Sequence, residues 1–405
     1  ARPPPPHTHT PSMAPPLAAL LLAAPLLPQP PLELFDGTYI GDDKPGLHFK
    51  FGHDLGTRFH AKMRDRLGNN TALHQTLLPY IRTPSGKSLY DAFLKTHEDA
   101  YPHYMQELRG MASGASVPFE WLFITNLGEE FGFFASADGF PGAAEALRPD
   151  HCSDYALWPH NAHNEDNGLQ EMLSTFLVRA TVDGCNFTAY SYAGDLPSGA
   201  FGFNARGVGF ALNYVAPSEG FVRGGLGRAF MSRDLLCSCD RDDAIARITR
   251  GGQCGGHNYQ LLDVVTRRIT GIETGPGQQY AAMEVSRGTA PYFHANMYRL
   301  LQVPQVPTNS SVHRIARVAA MAPPTSAEEL LEVLGDQADR SYPIFHDDLS
   351  HANGDLADWT VASALFDVRE ATCHIFSGNP KQRQVAITLD MTPTQSGSCA
   401  RHVEL

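Results

Sequence analysis

The sequence predicts an α+β protein in which grouped helices pack on antiparallel sheets. A helical region comes first, and short β-rich segments separated by Gly, Asp and Pro turns begin at about residue 172. Helices then alternate with runs of strands as far as residue 389. Strands in runs with grouped helices are typical of layered folds, and 405 residues are enough to bury a sizeable core.

Six helices are predicted from apolar residues that recur at three- and four-residue spacing. Their ranges are 53–66, 88–110, 229–236, 241–250, 312–321 and 326–334. Gly110 lies near the end of the second helix, as is common at helix C-termini. The sixth begins with Ser326-Ala-Glu-Glu, which is close to a capping box.

Strands are predicted where short runs of β-branched and aromatic residues lie between turn residues. They cover residues 175–182, 187–192, 207–213, 259–265, 361–368, 372–376 and 384–389. After residue 35 the sequence contains neither an internal repeat nor a long linker. We therefore expect one folded unit.

Composition and charge exclude several classes of protein. The chain has 43 acidic against 31 basic residues and no basic run, so we expect no nucleic-acid partner. Its seven cysteines form no zinc pattern. The pair His160 and His163 is a weak candidate for a metal site, and so is His346 beside two aspartates. We expect no metal and no cofactor. The odd number of cysteines leaves at least one thiol unpaired.

The N-terminus has the composition of a targeting segment rather than of a domain. Eleven of the 30 prolines lie in the first 31 residues, and residues 17–27 are an apolar run too short to span a membrane but typical of a signal-peptide core. Met13 is a plausible start, although no Lys or Arg separates it from the run. Three sequons begin at Asn69, Asn186 and Asn309, and one or two would occur by chance in a chain this long. We expect a secreted or lysosomal glycoprotein with no stable membrane span.

Several sequence blocks, taken in their order along the chain, resemble a known enzyme family. They are residues 110–130, Cys152-Ser153, His163-Asn-Glu-Asp166, residues 192–204, His257-Asn258-Tyr259, Ser311-Val-His-Arg314, residues 359–363 and Gly378-Asn-Pro380. In this order they are similar to the peptidase C45 family, also called the acyl-coenzyme A:isopenicillin N acyltransferase family of N-terminal nucleophile hydrolases. The His-x-Glu-Asp block is most similar to the branch that contains N-β-alanyl-dopamine hydrolase. The resemblance covers residues 46 to 390 and implies a four-layer αββα fold.

The resemblance also implies a self-cleaving precursor whose nucleophile is Cys152. The chain would be cut between His151 and Cys152, and the freed α-amine would take the thiol proton, because only a thiolate attacks an acyl carbon. His151 is a poor rival as base, because neighbouring residues of an extended segment point to opposite faces. The family usually has Gly at this position. A buried or disulfide-bonded Cys152 is the alternative.

This cleavage site divides the chain into three parts. Residues 1–35 are the proline-rich N-terminus with its signal segment, residues 36–151 are the helical N-terminal part, and residues 152–405 are the catalytic part of the same domain. We expect the two cleaved chains to remain associated.

The other site residues also follow from the resemblance. Asn258 would donate to the oxyanion, unless it only completes a turn. Asp166 would orient the new α-ammonium, unless it is an exposed loop carboxylate. Ser311 and Arg314 would lie near the substrate, although an Arg at a helix start is more often in a surface ion pair. Glu165 is a further candidate for substrate binding.

Together these interpretations predict a cysteine amidohydrolase that cleaves a small N-acyl amine. N-β-alanyl biogenic amines are the first candidates, because Glu165 or Asp195 could bind their ammonium group unless both are solvated loop carboxylates. An acyltransferase and a catalytically silent binding protein are the alternatives. No segment indicates a coenzyme A site, and a secreted enzyme would lack that donor, so hydrolysis is favoured.

Overall fold

The computed structural model describes residues 31–143, 152–347, 358–396 and 399. The predicted signal segment, His151 and residues 400–405 lie outside these residues. The fold is built on two large sheets, in which strand Leu34–Tyr39 pairs in parallel with strand Thr175–Val182 and the other neighbouring strands are antiparallel.

The larger sheet has eight strands in the order β1-β4-β5-β6-β7-β8-β9-β10. Their bounds are β1 Leu34–Tyr39, β4 Thr175–Val182, β5 Cys185–Tyr192, β6 Phe201–Asn204, β7 Val208–Val215, β8 Gly256–Asp263, β9 Arg268–Thr274 and β10 Tyr280–Val285. The smaller sheet has six strands in the order β11-β2-β3-β12-β13-β14. Their bounds are β2 Ser153–Leu157, β3 His160–Gly168, β11 Tyr292–His294, β12 Asp358–Asp367, β13 Thr372–Phe376 and β14 Val385–Asp390.

Helices cover the outer faces of both sheets. Those before β2 are α1 Lys44–Arg58, α2 His60–Gly68, α3 Pro84–Ala100, α4 Pro102–Ala115, α5 Phe119–Thr125 and α6 Gly128–Ala137, with a π-helical turn at Leu73–Leu77 and one α-helical turn at Leu78–Tyr80. Those after β7 are α7 Arg228–Leu235, α8 Arg241–Ile248, α9 Asn309–Ala319 and α10 Ala327–Leu334. Short 3-10 turns lie at Leu169–Ser174 and Pro380–Gln382.

Three hydrophobic cores show the order of the layers. The first joins α1 to α8 to one face of the eight-stranded sheet, for example through Phe51 and Phe187. The second lies between the two sheets and includes Phe201 against Phe366. The third joins the six-stranded sheet to α9 and α10. The predicted αββα fold is therefore confirmed.

Most predicted helices and strands are present, but two predicted helices are each divided. The single helix predicted over 88–110 is wrong: α3 ends at Ala100 and α4 begins at Pro102, because proline lacks the N–H that a continuous helix needs and disfavours a helical residue before it. The helix predicted over 53–66 is divided at Phe59 between α1 and α2. Ser326 caps α10 by accepting from the Glu329 N–H, as predicted.

Helices α1 and α4 approach each other closely because glycine lines their contact. A Cβ added at Gly52 would lie 2.0 Å from the Glu107 carbonyl oxygen, and one at Gly110 would lie 2.1 Å from that of Phe49. Larger residues would push the helices apart. This contact fixes the helical layer of the N-terminal part.

Two disulfides join Cys185 to Cys237 and Cys239 to Cys399. The three remaining cysteines, Cys152, Cys254 and Cys373, form no disulfide and are buried. Within the part of the chain that the structure describes, no helix has the length and apolarity needed to cross a bilayer.

Candidate active site

Cys152 lies immediately before β2 at the start of the β2–β3 hairpin. The register pairs Ser153 with Asn164, which brings Cys152 close to Glu165 of β3. Its side chain is buried, and its thiol donates to Glu165 Oε2 at 3.5 Å and to the Asp166 carbonyl oxygen at 4.0 Å. The hairpin thus places a thiol against a carboxylate between the two sheets.

Glu165 is also buried, so the interpretation of it as a solvated loop carboxylate is wrong. Its Oε1 accepts from the Tyr192 hydroxyl at 2.6 Å, and its Oε2 accepts from His163 Nε2 at 3.1 Å as well as from the Cys152 thiol. Three donors from β3, β5 and the residue before β2 therefore fix the orientation of this carboxylate.

His163 is a buried imidazolium between two carboxylates. Its Nδ1 lies 3.1 Å from Asp154 Oδ1, and its Nε2 lies 3.1 Å from Glu165 Oε2. Burial opposes the charged form, but the charges of Asp154 and Glu165 raise the pKa of His163 to about 10. Cys152, Glu165 and His163, whose polar atoms lie within 4.8 Å of one another, form a hydrogen-bonded chain in which His163 and the Cys152 thiol share Glu165 Oε2.

Asp166 is buried in β3 and is not the exposed loop carboxylate that the sequence allowed. It points away from Glu165, because neighbouring strand residues face opposite sides, and its Oδ1 accepts from the Thr360 hydroxyl of β12. Burial raises the pKa of Asp166 to about 7. Its Oδ2 accepts no hydrogen bond from the described residues. The site therefore contains an acceptor for which the described part of the chain supplies no donor.

Arg314 is fully buried, so the surface ion pair suggested as its alternative is not formed. From α9 its Nη1 donates to the Cys152 carbonyl oxygen and to Ser153 Oγ, both at 2.8 Å, and its Nη2 donates to Asn296 Oδ1 at 2.8 Å. Ser311 Oγ accepts from the Asn296 N–H at 3.2 Å and from Arg314 Nη2 at 3.4 Å. We interpret Ser311 and Arg314 as positioning residues for Cys152 rather than as substrate ligands.

Asn258 lies on the eight-stranded sheet, and its side chain faces the other sheet. Its neighbour Tyr259 belongs to the helix-facing core, and successive strand residues alternate between faces. Asn258 Nδ2 donates to Asn213 Oδ1 at 2.8 Å, and β7, which carries Asn213, contacts β2. An amide nitrogen has two hydrogens, so a second donor of Asn258 is available to a ligand. The alternative of a turn residue is excluded by its place inside β8.

A cavity of about 220 Å³ adjoins Glu165 and Tyr192. Its charged lining has five carboxylates and two guanidinium groups: Glu129, Glu130, Glu165, Glu171, Asp195, Arg66 and Arg228. We call it the acidic cavity. Burial, together with the charge of Glu129, raises the pKa of Glu130 to about 7. A cation placed beside Glu130 would favour the ionised form of this carboxyl group.

The other two free cysteines lack the surroundings of Cys152. Burial raises the pKa of the Cys254 thiol, with a further contribution from Glu130, and burial alone raises the pKa of the Cys373 thiol. A raised thiol pKa keeps a cysteine unreactive. Among the free thiols, Cys152 is the one whose sulfur contacts a buried hydrogen-bonded carboxylate and whose peptide is held by an arginine.

The comparison with protein families decides the family of this chain. Residues 159–382, more than half of the chain, match the model described as "Acyl-coenzyme A:6-aminopenicillanic acid acyl-transferase". The chain belongs to this family. It is accordingly an enzyme that acts on C–N amide bonds other than peptide bonds, as the sequence predicted.

Individual relatives agree with this assignment. The chain is 26% identical over 373 positions to the Beta-alanyl-dopamine/carcinine hydrolase of Drosophila melanogaster, covering 84% of this chain and 92% of the fly protein. Two solved structures align more distantly. An N-acylethanolamine-hydrolyzing acid amidase ortholog from Caenorhabditis elegans aligns at TM-score 0.37 and 11% identity, over 54% of this chain and 92% of the worm protein. A conjugated bile acid hydrolase from Clostridium perfringens aligns at TM-score 0.35 and 10% identity, over 62% of this chain and 98% of the bacterial protein.

Sequence reasoning missed three residues of this acyl-transferase family site. Tyr192 and Thr360 orient Glu165 and Asp166, and His163 carries a buried charge. The available signal was the run of polar residues in β3, His160–Gly168. Polar side chains are buried in this way only where other residues supply hydrogen-bond partners.

The raised pKa of Asp166 predicts how the stability of the uncut protein depends on pH. In the unfolded chain an aspartate titrates near 3.9, so the folded pKa of about 7 is the higher of the two. The contribution of Asp166 is therefore fully present below pH 4 and is lost as pH rises through 7, by up to about 4 kcal/mol. Urea unfolding of the Cys152→Ala chain at pH 4 to 8 should show this loss. Adding Asp166→Asn should flatten the profile, and unchanged slopes would contradict the assignment.

Proposed function

We propose that this enzyme is a cysteine amidohydrolase whose nucleophile is Cys152. The observation that carries the proposal is the Cys152 thiol held against Glu165, with its peptide fixed by Arg314. The thiolate would attack the carbonyl carbon of a small N-acyl amine, and Asn258 would donate to the resulting oxyanion. The amine would leave with a proton, and water would hydrolyse the acyl-thioester.

We propose further that the chain is cut between His151 and Cys152 before it becomes active. The freed α-amine has a reference pKa near 8, which is close to the reference pKa of a cysteine thiol, near 8.5. It would first accept the thiol proton as a base and then donate it to the leaving amine as an acid. Asp166 Oδ2, which has no hydrogen-bond donor among the described residues, is a suitable acceptor for the new α-ammonium. Its charge would stabilise the protonated amine.

We propose that the acyl group of the substrate carries an ammonium, as a β-alanyl group does. The acidic cavity beside Glu165 supports this, and so does the similarity to the Beta-alanyl-dopamine/carcinine hydrolase of the fly. Asp195 is withdrawn as a candidate partner, because Arg66 Nη1 and Nη2 donate to its two oxygens at 2.6 and 3.3 Å. Glu171 is paired with the same Arg66, and Glu129 is paired with Arg228, so Glu165 and Glu130 of the acidic cavity remain.

A panel of amides of one aromatic amine tests this substrate class. It compares β-alanyl with butyryl, which has the same length but no charge, and with acetyl and long fatty acyl groups. One charge-assisted hydrogen bond is worth about 1.5–3 kcal/mol, so kcat/KM for amine release should favour β-alanyl over butyryl by about 10- to 150-fold. Preference for a fatty acyl group would overturn the β-alanyl assignment, but the assignment as an amidase would still hold.

The acyltransferase alternative has its own signature in the same assay. A correctly cut protein would then release amine from none of the amides and yet form an amide from a thioester donor and an amine. This pair of results would favour transfer over hydrolysis. The family model, which is described as an acyl-transferase, is the reason to include this arm. A protein that is inactive in both directions would favour the binding-protein alternative.

We propose secretory routing, because stable disulfides are typical of secreted chains. Asn69 and Asn309 are exposed, whereas Asn186 lies half-buried in β5. In a eukaryotic host, glycosidase treatment should lower the mass of the wild-type chain, and replacing Asn69 and Asn309 together by Gln should remove most of that shift. An unglycosylated protein in the cytosol would contradict this localisation.

A further inference from the structure

Self-cleavage needs a base that turnover does not need. Before the chain is cut, the nitrogen of Cys152 is part of a peptide bond, and an amide nitrogen is not basic. The α-amine proposed as the base of the mature enzyme does not yet exist. Another group must therefore accept the thiol proton in the first reaction that Cys152 performs.

The contacts of Cys152 identify one carboxylate for this task. Glu165 Oε2 lies 3.5 Å from the Cys152 sulfur and accepts from it. The carboxylate of Asp166 is bonded to Thr360 instead, and only the backbone carbonyl of Asp166 faces the sulfur, at 4.0 Å. Glu165 thus places an acidic side chain at hydrogen-bonding distance from the thiol.

We propose that Glu165 is the general base of self-cleavage and that this role ends when the α-amine of Cys152 is freed. The inference rests on the proposed cleavage before Cys152. It assigns the two reactions of one nucleophile to two different bases, a carboxylate for the single processing event and an amine for repeated turnover.

The proposed step balances with water as the only other reactant. Glu165 takes the thiol proton, and the sulfur forms a bond to the carbonyl carbon of residue 151. The bond from that carbon to the Cys152 nitrogen breaks, and the nitrogen takes the proton from Glu165. Water then hydrolyses the resulting thioester, which leaves a carboxylate on residue 151 and restores the thiol.

The charges around Glu165 fit a base that must work beside a developing thiolate. His163 places an imidazolium on the same oxygen that faces the sulfur, and Asp154 holds that ring from β2. Tyr192 fixes the other oxygen from β5. The remaining charged groups are Arg314 behind Asp166, and the two arginines and four other carboxylates of the acidic cavity. The imidazolium beside the sulfur stabilises negative charge there.

The difference in basicity explains why the base would change. Carboxylates are in general weaker bases than thiolates, so a carboxylate base generates only a little thiolate at a time. A reaction that occurs once per molecule tolerates this. Repeated turnover is better supported by an amine whose pKa is close to that of the thiol.

The test follows cleavage of full-length chains made by brief cell-free synthesis, with the cut fraction read by gel and intact mass between pH 5.5 and 8.5. Wild type should be cut at every pH in this range, because the protein itself supplies the base. Glu165→Gln should be cut at least about 100-fold more slowly at pH 6.5 and should gain about tenfold per pH unit, as solvent generates the thiolate. Glu165→Asp should lie between them, and His151→Ala should stay within about threefold of wild type.

Three results would overturn the proposal. In the first, Glu165→Gln is cut at the wild-type rate at pH 6.5. In the second, Glu165→Gln stays uncut at pH 8.5 as well. In the third, His151→Ala is not cut, whereas Glu165→Gln is cut normally. The last would give the role to His151. A wild-type chain that is never cut refutes the cleavage itself, which distinguishes failure of the proposed function from failure of the Glu165 assignment.

Discussion

Replacing Cys152 by alanine is expected to leave a single uncut chain with no amide turnover. Removal of a nucleophile should lower the rate by at least about 10⁴-fold. The fold should persist, because the loss of one small buried side chain costs about 1 kcal/mol. Gel and mass analysis should show wild type as two chains, the second being the 254 residues from Cys152 to Leu405.

The other two free thiols provide matched controls for this variant. Cys254→Ala and Cys373→Ala each remove a buried thiol whose pKa is raised by burial and which has no place in the proposed mechanism. Both should be cut and active within a few-fold of wild type. A wild-type protein that is active as a single chain would overturn the free-amine mechanism, although Cys152 could still be the nucleophile.

Replacing Asn258 by alanine is expected to lower kcat by about 100- to 1,000-fold, with a much smaller change in KM. The reason is that a preorganised amide donor stabilises the oxyanion chiefly in the transition state. Asn258 Nδ2 donates one hydrogen to Asn213 and faces the sheet that carries Cys152. The variant should be assayed after confirming that its chain is cut.

Asn213 supplies the control for Asn258. Asn213→Ala removes the acceptor that orients Asn258 and leaves the proposed donor in place. Its effect should therefore be smaller, about tenfold. Near-normal turnover in Asn258→Ala would remove Asn258 from the oxyanion site, and equal losses in both variants would show that the pair acts only by supporting the strands.

Hydrophobic periodicity predicted most of the fold, and it failed where the site is built. Several strands from β4 onward were predicted from runs of β-branched and aromatic residues, such as Thr175–Val182, whereas β6, β9, β10 and β11 were not predicted. Strand β3, His160–Gly168, was missed because its buried residues are His, Asn, Glu and Asp, whose burial depends on partners supplied by distant strands. β1, Leu34–Tyr39, was missed because Asp36 and Gly37 resemble a turn.

The sequence proposed which residues form the candidate site, but it did not predict their contacts. The motif order pointed to Cys152, Asp166 and Asn258, but the burial of Glu165 and the role of Arg314 depend on long-range packing. Arg314 contacts a residue 162 positions earlier in the chain. The disulfide pairing was equally beyond the sequence, because seven cysteines allow many connectivities.

Strand β1 has a consequence for the mature enzyme. It lies 113 positions or more before the proposed cut and pairs along its whole length with β4, which follows the cut. Residues 1–151 contain no cysteine, so neither disulfide can tether them to the rest. Once the chain is cut, refolding after denaturation becomes a bimolecular reaction, and recovery of activity should fall on dilution. The enzyme would then fold readily only once, as a precursor, and its lifetime would be governed by the rate at which it unfolds.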